Sequence, residues 1–149
     1  MFEYLMPPLV IDEGHGTLLD LSARAAIRAQ IAYARKLGLP WGMSESAYAR
    51  FDNQCTYQYR AFGVPDLALK RGLGRDLVIA PYASALAAMV DPPKALGNLA
   101  TLEKTGVLGP YGFRDAIDYT RPNPGKRYAV VRTYMAHHIG MASRRWPTR

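Results

Sequence analysis

The segment from Thr17 to Leu37 constrains this chain more than any other, because it reads as one long helix with both ends marked. Thr17-Leu18-Leu19-Asp20 fits a capping box, in which Thr17 accepts from the first turn and Asp20 reaches back toward it. Asp20, Arg24 and Arg28 recur at i, i+4 spacing and form a charged stripe. Leu21, Ala25, Ile27, Ile31 and Ala34 populate the other side. Gly38 and then Pro40 end the helix. A helix with one apolar stripe must lay that stripe on other elements, so the rest of the chain has to supply the partners.

Most of those partners also read as helices. Val78 to Val90 begins apolar, breaks at Pro81 and continues alanine-rich. Asp91-Pro92 is a cap followed by proline at the first helical position, opening a helix over 93–105 that Gly106 closes. Tyr111 to Tyr119 reads as a short helix with Phe113 and Ile117 on one face. Val130 to Ala142 reads as the last helix, with Tyr134, His138 and Met141 at helical spacing. Pro40 to Pro65 is a long irregular stretch rich in aromatics, and Arg121 to Gly125 is a Pro/Asn/Gly loop. There is no internal repeat, and strand-like alternation is scarce. The expected fold class is therefore all-α with long connecting loops, and 149 residues suit one domain.

Several function classes are disfavoured at once. A single cysteine, Cys55, leaves no internal disulfide to staple a secreted fold. No leading basic residues mark a signal peptide, and no apolar run approaches the roughly 20 residues that span a bilayer, so no membrane contact by this chain is expected. The formal net charge is +7, but Arg24, Arg28, Arg35, Arg50, Arg60, Lys70, Arg71 and Arg75 are spread out, and only Arg144, Arg145 and Arg149 cluster. That pattern reads as scattered surface charge rather than a nucleic-acid face. Gly72-Leu73-Gly74 is too short for a phosphate loop, and no Gly-x-Ser-x-Gly is present. His137 and His138 are neighbours whose side chains point about 100° apart on a helix, so they do not share a metal. No metal and no cofactor are expected.

What remains is carboxylate and aromatic chemistry. Glu45 stands in Trp41-Gly42-Met43-Ser44-Glu45-Ser46-Ala47-Tyr48. A loop carboxylate beside Trp41 and Tyr48 suits a sugar site, because aromatic faces pack on pyranose rings and a carboxyl group can protonate a glycosidic oxygen or attack an anomeric carbon. The competing reading is a helix cap at Ser44 or Ser46. Glu3 is a charge among apolar residues near the chain start, and a solvated terminus explains it equally well. Asp52, Tyr57, Gln58, Tyr59 and Arg60 form a polar-aromatic run able to hydrogen-bond sugar hydroxyls or simply to sit in an exposed loop.

The order of the motifs goes further than any one of them. Phe2-Glu3-Tyr4-Leu5-Met6-Pro7, Trp41 to Tyr48, Tyr57 to Pro65, Leu69-Lys70-Arg71-Gly72-Leu73, Val78-Ile79-Ala80-Pro81-Tyr82-Ala83-Ser84, Gly109-Pro110-Tyr111-Gly112-Phe113 and Val131 to His138 resemble successive blocks of the glycoamylase-like region of cyclic β-1,2-glucan synthases. The resemblance covers nearly all of residues 1–142. It implies an (α/α)₆ toroid that transglycosylates β-1,2-glucan, with Glu45 and Glu3 as the carboxyl pair, roles unassigned. Trp41, Tyr48, Gln58, Tyr59, Arg60 and His137 become the candidate glucan-binding surface. The implied partners are a β-1,2-glucan oligosaccharide and the remainder of a larger synthase. The implied location is cytoplasmic, with the parent synthase attached to the bacterial inner membrane. A full toroid needs twelve helices and about five or six are legible here, so 1–142 is expected to be a partial toroid and 143–149 an unrelated basic tail. On that expectation the isolated chain aggregates readily and has little or no activity. A sugar-binding or structural remnant without catalysis is the alternative.

Overall fold

A computed structural model describes residues 1–11, 14–67 and 72–143. The basic tail beyond residue 143 and positions 69–71 of the fourth family-like block lie outside the described residues. Two single-turn helices, α1 (Phe2–Leu5) and α2 (Pro7–Val10), precede the long α3 (Leu18–Leu37). A hairpin of β1 (Ser46–Phe51) and β2 (Tyr57–Arg60) follows, then β3 (Val78–Ile79), α4 (Pro81–Ala87) and α5 (Pro92–Glu103). The last part carries β4 (Leu108–Gly109), β5 (Gly112–Phe113), β6 (Ala116–Asp118), β7 (Ala129–Val131) and α6 (Ala136–Ala142).

The ends of α3 follow from its sequence. Thr17 Oγ1 accepts from the Asp20 amide at 3.3 Å, and Gly38 caps the other end in the left-handed region at φ 64°. Asp20 turns its carboxylate to the Gly16 amide at 3.0 Å and to Arg24 at 2.9 Å. Those bonds, the Gly16 amide first, hold its carboxyl below the usual aspartate range. Removing the cap oxygen with Thr17→Ala is expected to cost about 1 kcal/mol, read as a lower urea midpoint at unchanged slope. The buried face of α3 is Ala23, Ala26, Ile27, Gln30 and Ala34. Small alanines there, and Ala80, Ala83, Ala87 and Ala88 around α4, let the helices close on Leu5, Leu9, Trp41 and Leu86. Asp91 caps α5 by accepting from the Lys94 amide.

The all-α expectation and the partial (α/α)₆ toroid are corrected by the structure. Three small antiparallel sheets are present: β1–β2, β4–β5, and a three-stranded sheet in the order β3–β6–β7. Val78 pairs with Asp118, and Ile117 with Val130. The stretch expected to be irregular contains a hairpin in which Ser46 faces Arg60 and Ala47 faces Tyr59, with a bulge before Phe51. The helix expected over 111–119 is instead β5 and β6, and only the final seven residues of 130–142 are helical. The physical reason is the β-branched content of Val78-Ile79, Ile117 and Val130-Val131, which fits a pleated surface better than a short helix.

The sheets have cores of their own. Met43, Val64, Ile79, Leu102, Val107 and Ile117 form one, and Ala47, Tyr48, Phe62, Val78, Ala116 and Val131 form another. Each large aliphatic side chain here contributes about 1.5–3 kcal/mol by leaving water. The loop 41–45 runs between the helical core and these sheet cores. It is the segment that carries Glu45.

Candidate functional site

The loop 41–45 is held by side chains far from it in sequence. Gln30 of α3 donates from Nε2 to the Met43 carbonyl at 2.7 Å, and its Oε1 accepts from the Gly42 and Met43 amides. Asn98 of α5 accepts from the Trp41 amide and donates to the Trp41 carbonyl. The Phe2 amide of α1 donates to Ser44 Oγ. Gly42 has φ 118°, and a Cβ there would sit 3.2 Å from the Ala80 carbonyl, so both backbone angle and space call for glycine. Buried backbone groups need partners, and here side chains of α3 and α5 supply them.

Glu45 is half-buried at the end of this loop. Its carbonyl accepts from the Tyr82 hydroxyl at 3.1 Å, and that hydroxyl also shares a hydrogen bond with Ser44 Oγ at 2.9 Å. The Tyr82 ring stacks on the His138 ring, with centroids 3.7 Å apart and planes 10° apart. His138 is 3% exposed, and its Nδ1 lies 2.6 Å from Asp115 Oδ1. Asp115 Oδ2 accepts from the Ala47 amide at 2.7 Å. The Tyr59 hydroxyl is 3.2 Å from His138 Nε2 and 3.4 Å from His137 Nε2. Burial, and next the negative charge of Glu45, push the Tyr59 pKa well above the usual phenol range. Burial does the same to Tyr82. Both therefore remain neutral hydroxyls.

Thus Glu45, Tyr59 and His137 are brought together, joined by Tyr82, Asp115 and His138. An open cleft of about 190 Å³ borders this group, lined in part by Tyr82, Tyr111, Phe113, Arg114, Asp115 and His138. Tyr111 is 79% exposed at its rim. Glu3 sits on α1 with its carboxylate 55% exposed and 3.7 Å from the Met1 nitrogen. The charge of Glu45 adds only a small upward contribution to the pKa of that same nitrogen, which burial lowers.

Other expected binding residues are engaged within the protein. Trp41 is 7% exposed and packs in the helical core. Tyr48 donates to Gln58 and lies between two guanidinium groups, those of Arg60 and Arg121, at 5.3 and 4.9 Å from its ring centre. Arg60 pairs with Asp76, which also takes Arg121 at 2.9 Å. These cations serve the fold by stacking and pairing. The sequence reading missed Asp115 and Tyr82 and singled out His137 rather than His138 for the binding surface. The available signal for Asp115 was a charge at the edge of the apolar Ala116-Ile117.

Among the described residues, no three His, Cys, Asp or Glu side chains cluster as metal ligands would. No helix among them is long and apolar enough to cross a membrane.

Comparison with known proteins adds two findings. The chain matches the Glycoamylase family, described as "Putative glucoamylase", over residues 1–144. It is 55% identical over 144 residues to cyclic beta-(1,2)-glucan synthase NdvB of Rhizobium meliloti (strain 1021). That match covers 95% of this chain and 5% of the relative, so the chain spans a small part of the length of the curated protein it matches.

Proposed function

The chain belongs to the Glycoamylase family, and from that premise we propose that it carries part of a glycoside-hydrolase or transglycosylase site for β-1,2-glucan. The observation that carries the reading is Glu45, a half-buried residue on a clamped loop, beside the Tyr59 phenol whose pKa burial and the Glu45 charge raise. Such a group can attack an anomeric carbon or move a proton without its backbone shifting. Glu3 of α1 is its proposed partner, because glycoside cleavage by the usual route needs two carboxyl groups. Tyr59 and His137 offer hydrogen bonds to sugar hydroxyls. Gln58, Arg60, Tyr48 and Trp41 act behind them, shaping the wall. The remainder of a larger synthase, working at the cytoplasmic side of the membrane, completes the enclosure.

A second reading, glucan binding without turnover, is favoured by the exposure of Glu3 at 55%. Acid–base work draws on shielded carboxyl groups, and Glu3 has little shielding here.

The test uses linear β-1,2-glucan with the 149-residue chain and its Glu45→Gln variant, following binding by calorimetry and released ends by chromatography. The expected result is binding by both proteins and a slow release that falls about 100-fold or more in the variant. Binding with no release by either protein supports the second reading. A chain that binds no glucan sinks both.

A further inference from the structure

The hydrogen-bonded row from Asp115 through His138 to Tyr59 has more order than packing requires. It joins β2, the segment leading into β6, and α6, and it stops beside Glu45. We propose that Asp115 and His138 are positioning residues for Glu45: they set the direction in which the Tyr59 hydroxyl points, and so decide whether Tyr59 donates to the Glu45 carboxylate. The inference takes the importance of Glu45 from the functional reading above.

Proton counting leads there. Asp115 offers only acceptors, and its Oδ2 is occupied by the Ala47 amide. Toward an ionised Asp115, His138 Nδ1 at 2.6 Å from Oδ1 is the donor. The tautomer is then fixed, and Nε2 is left facing the Tyr59 oxygen at 3.2 Å. When the imidazole is neutral, Nε2 accepts and the Tyr59 O–H points at His138, away from Glu45. When the ring is protonated, Nε2–H donates to the Tyr59 oxygen and the Tyr59 O–H is released toward Glu45. Tyr59 itself stays a phenol throughout, as its raised pKa requires. The single proton taken up by His138 thus reappears as a donor at Glu45, with no atom moving more than a hydroxyl rotation.

The surroundings keep the ring in place for this role. Tyr82 covers one face of His138 and has its own hydroxyl committed to Ser44 and the Glu45 carbonyl. The titratable and charged groups facing His138 are Asp115, Tyr59, Tyr82 and its neighbour His137, with Glu45 beyond Tyr59 and Arg114 along the shared cleft. His137 Nε2 reaches the same phenol oxygen at 3.4 Å, a longer approach. Among the described residues, no carboxylate pairs with His137 as Asp115 pairs with His138.

The test is a pH titration of the complete chain, labelled with ¹⁵N in histidine rings and ¹³C in glutamate carboxyls, without glucan. The expected result is a proton on His138 Nδ1 at every pH and a Glu45 carboxyl signal with an extra step coincident with the His138 titration. Tyr59→Phe, at a partly exposed position, removes only the hydroxyl. It is expected to abolish the coincident Glu45 step while the His138 step persists. His138→Asn, which keeps a donor toward Asp115, abolishes it as well; if that variant does not fold, Tyr59→Phe decides alone. A Glu45 signal blind to the His138 titration, or a step that survives Tyr59→Phe, overturns the proposal. Because no sugar is present, a chain that shows the coupling but binds no glucan refutes the functional reading and leaves this inference standing. Glucan binding without the coupling does the reverse.

Discussion

Asp118→Ala is expected to lower the unfolding free energy by about 3–5 kcal/mol, enough to remove much of the stability of a domain this size. Asp118 is 0% exposed, and four donors converge on its carboxylate. The Ala49 amide reaches Oδ2 at 3.1 Å, the Thr120 and Arg121 amides reach Oδ1 at 2.9 and 3.0 Å, and the Arg121 guanidinium reaches Oδ2 at 3.1 Å. Alanine removes every acceptor at once, and the half-buried Ala49 and Arg121 amides and the Arg121 guanidinium lose their partner together. Unsatisfied buried groups cost more than the net worth of the bonds they made. Asp118→Asn keeps one acceptor oxygen and should lose markedly less. Urea unfolding of the three proteins checks the order. A loss below about 1 kcal/mol for alanine would show that Asp76, which also holds Arg121, takes over the role.

Gln30→Ala should have the next largest effect, with a stability loss of about 3 kcal/mol, since three backbone groups of the loop 41–45 lose their partner together. Here the consequence passes directly to the site. The Gly42 and Met43 amides and the Met43 carbonyl would have to find water or shift, and Glu45 lies two residues on. Amide exchange at Gly42 and Met43 should accelerate strongly while exchange in α5 changes little. On the proposed function, glucan affinity should fall with it, because a carboxylate on a loose loop loses its geometry. Protected loop amides in the variant would mean that Asn98 and the Phe2–Ser44 bond hold the loop without Gln30.

The elements that could be read from sequence are those with local causes. The Thr17 cap, the Gly38 stop and the Asp91 cap are written within a few residues, and α3 and α5 begin where those signals place them, as α4 begins at Pro81. The strands are different. Val78-Ile79 and Leu108-Gly109 are two residues long, too short to display a period of two, and their partners are chosen by the tertiary fold. Phe113 and Ile117 do stand at i, i+4, yet they lie on separate strands. Val130-Val131 was the missed cue, a β-branched pair placed inside an assumed helix. At the site, family-like motifs pointed to Glu45 and Tyr59, and the charge of Glu45 helps to raise the Tyr59 pKa. Trp41 and Tyr48 carried the right chemistry for sugar stacking, but core packing and two arginines claimed their faces. The link between Asp115 and His138 crosses 23 positions and leaves no trace in local pattern.

The bonds that anchor the hairpin to the three-stranded sheet join residues 68 and 69 positions apart, from Asp115 to Ala47 and from Asp118 to Ala49. Such distant closures are entropically slow to make and come after helix formation. The refolding chain should therefore acquire its helical signal early and its tyrosine–histidine stack late. A half-assembled intermediate would be helical and yet chemically blank at Glu45.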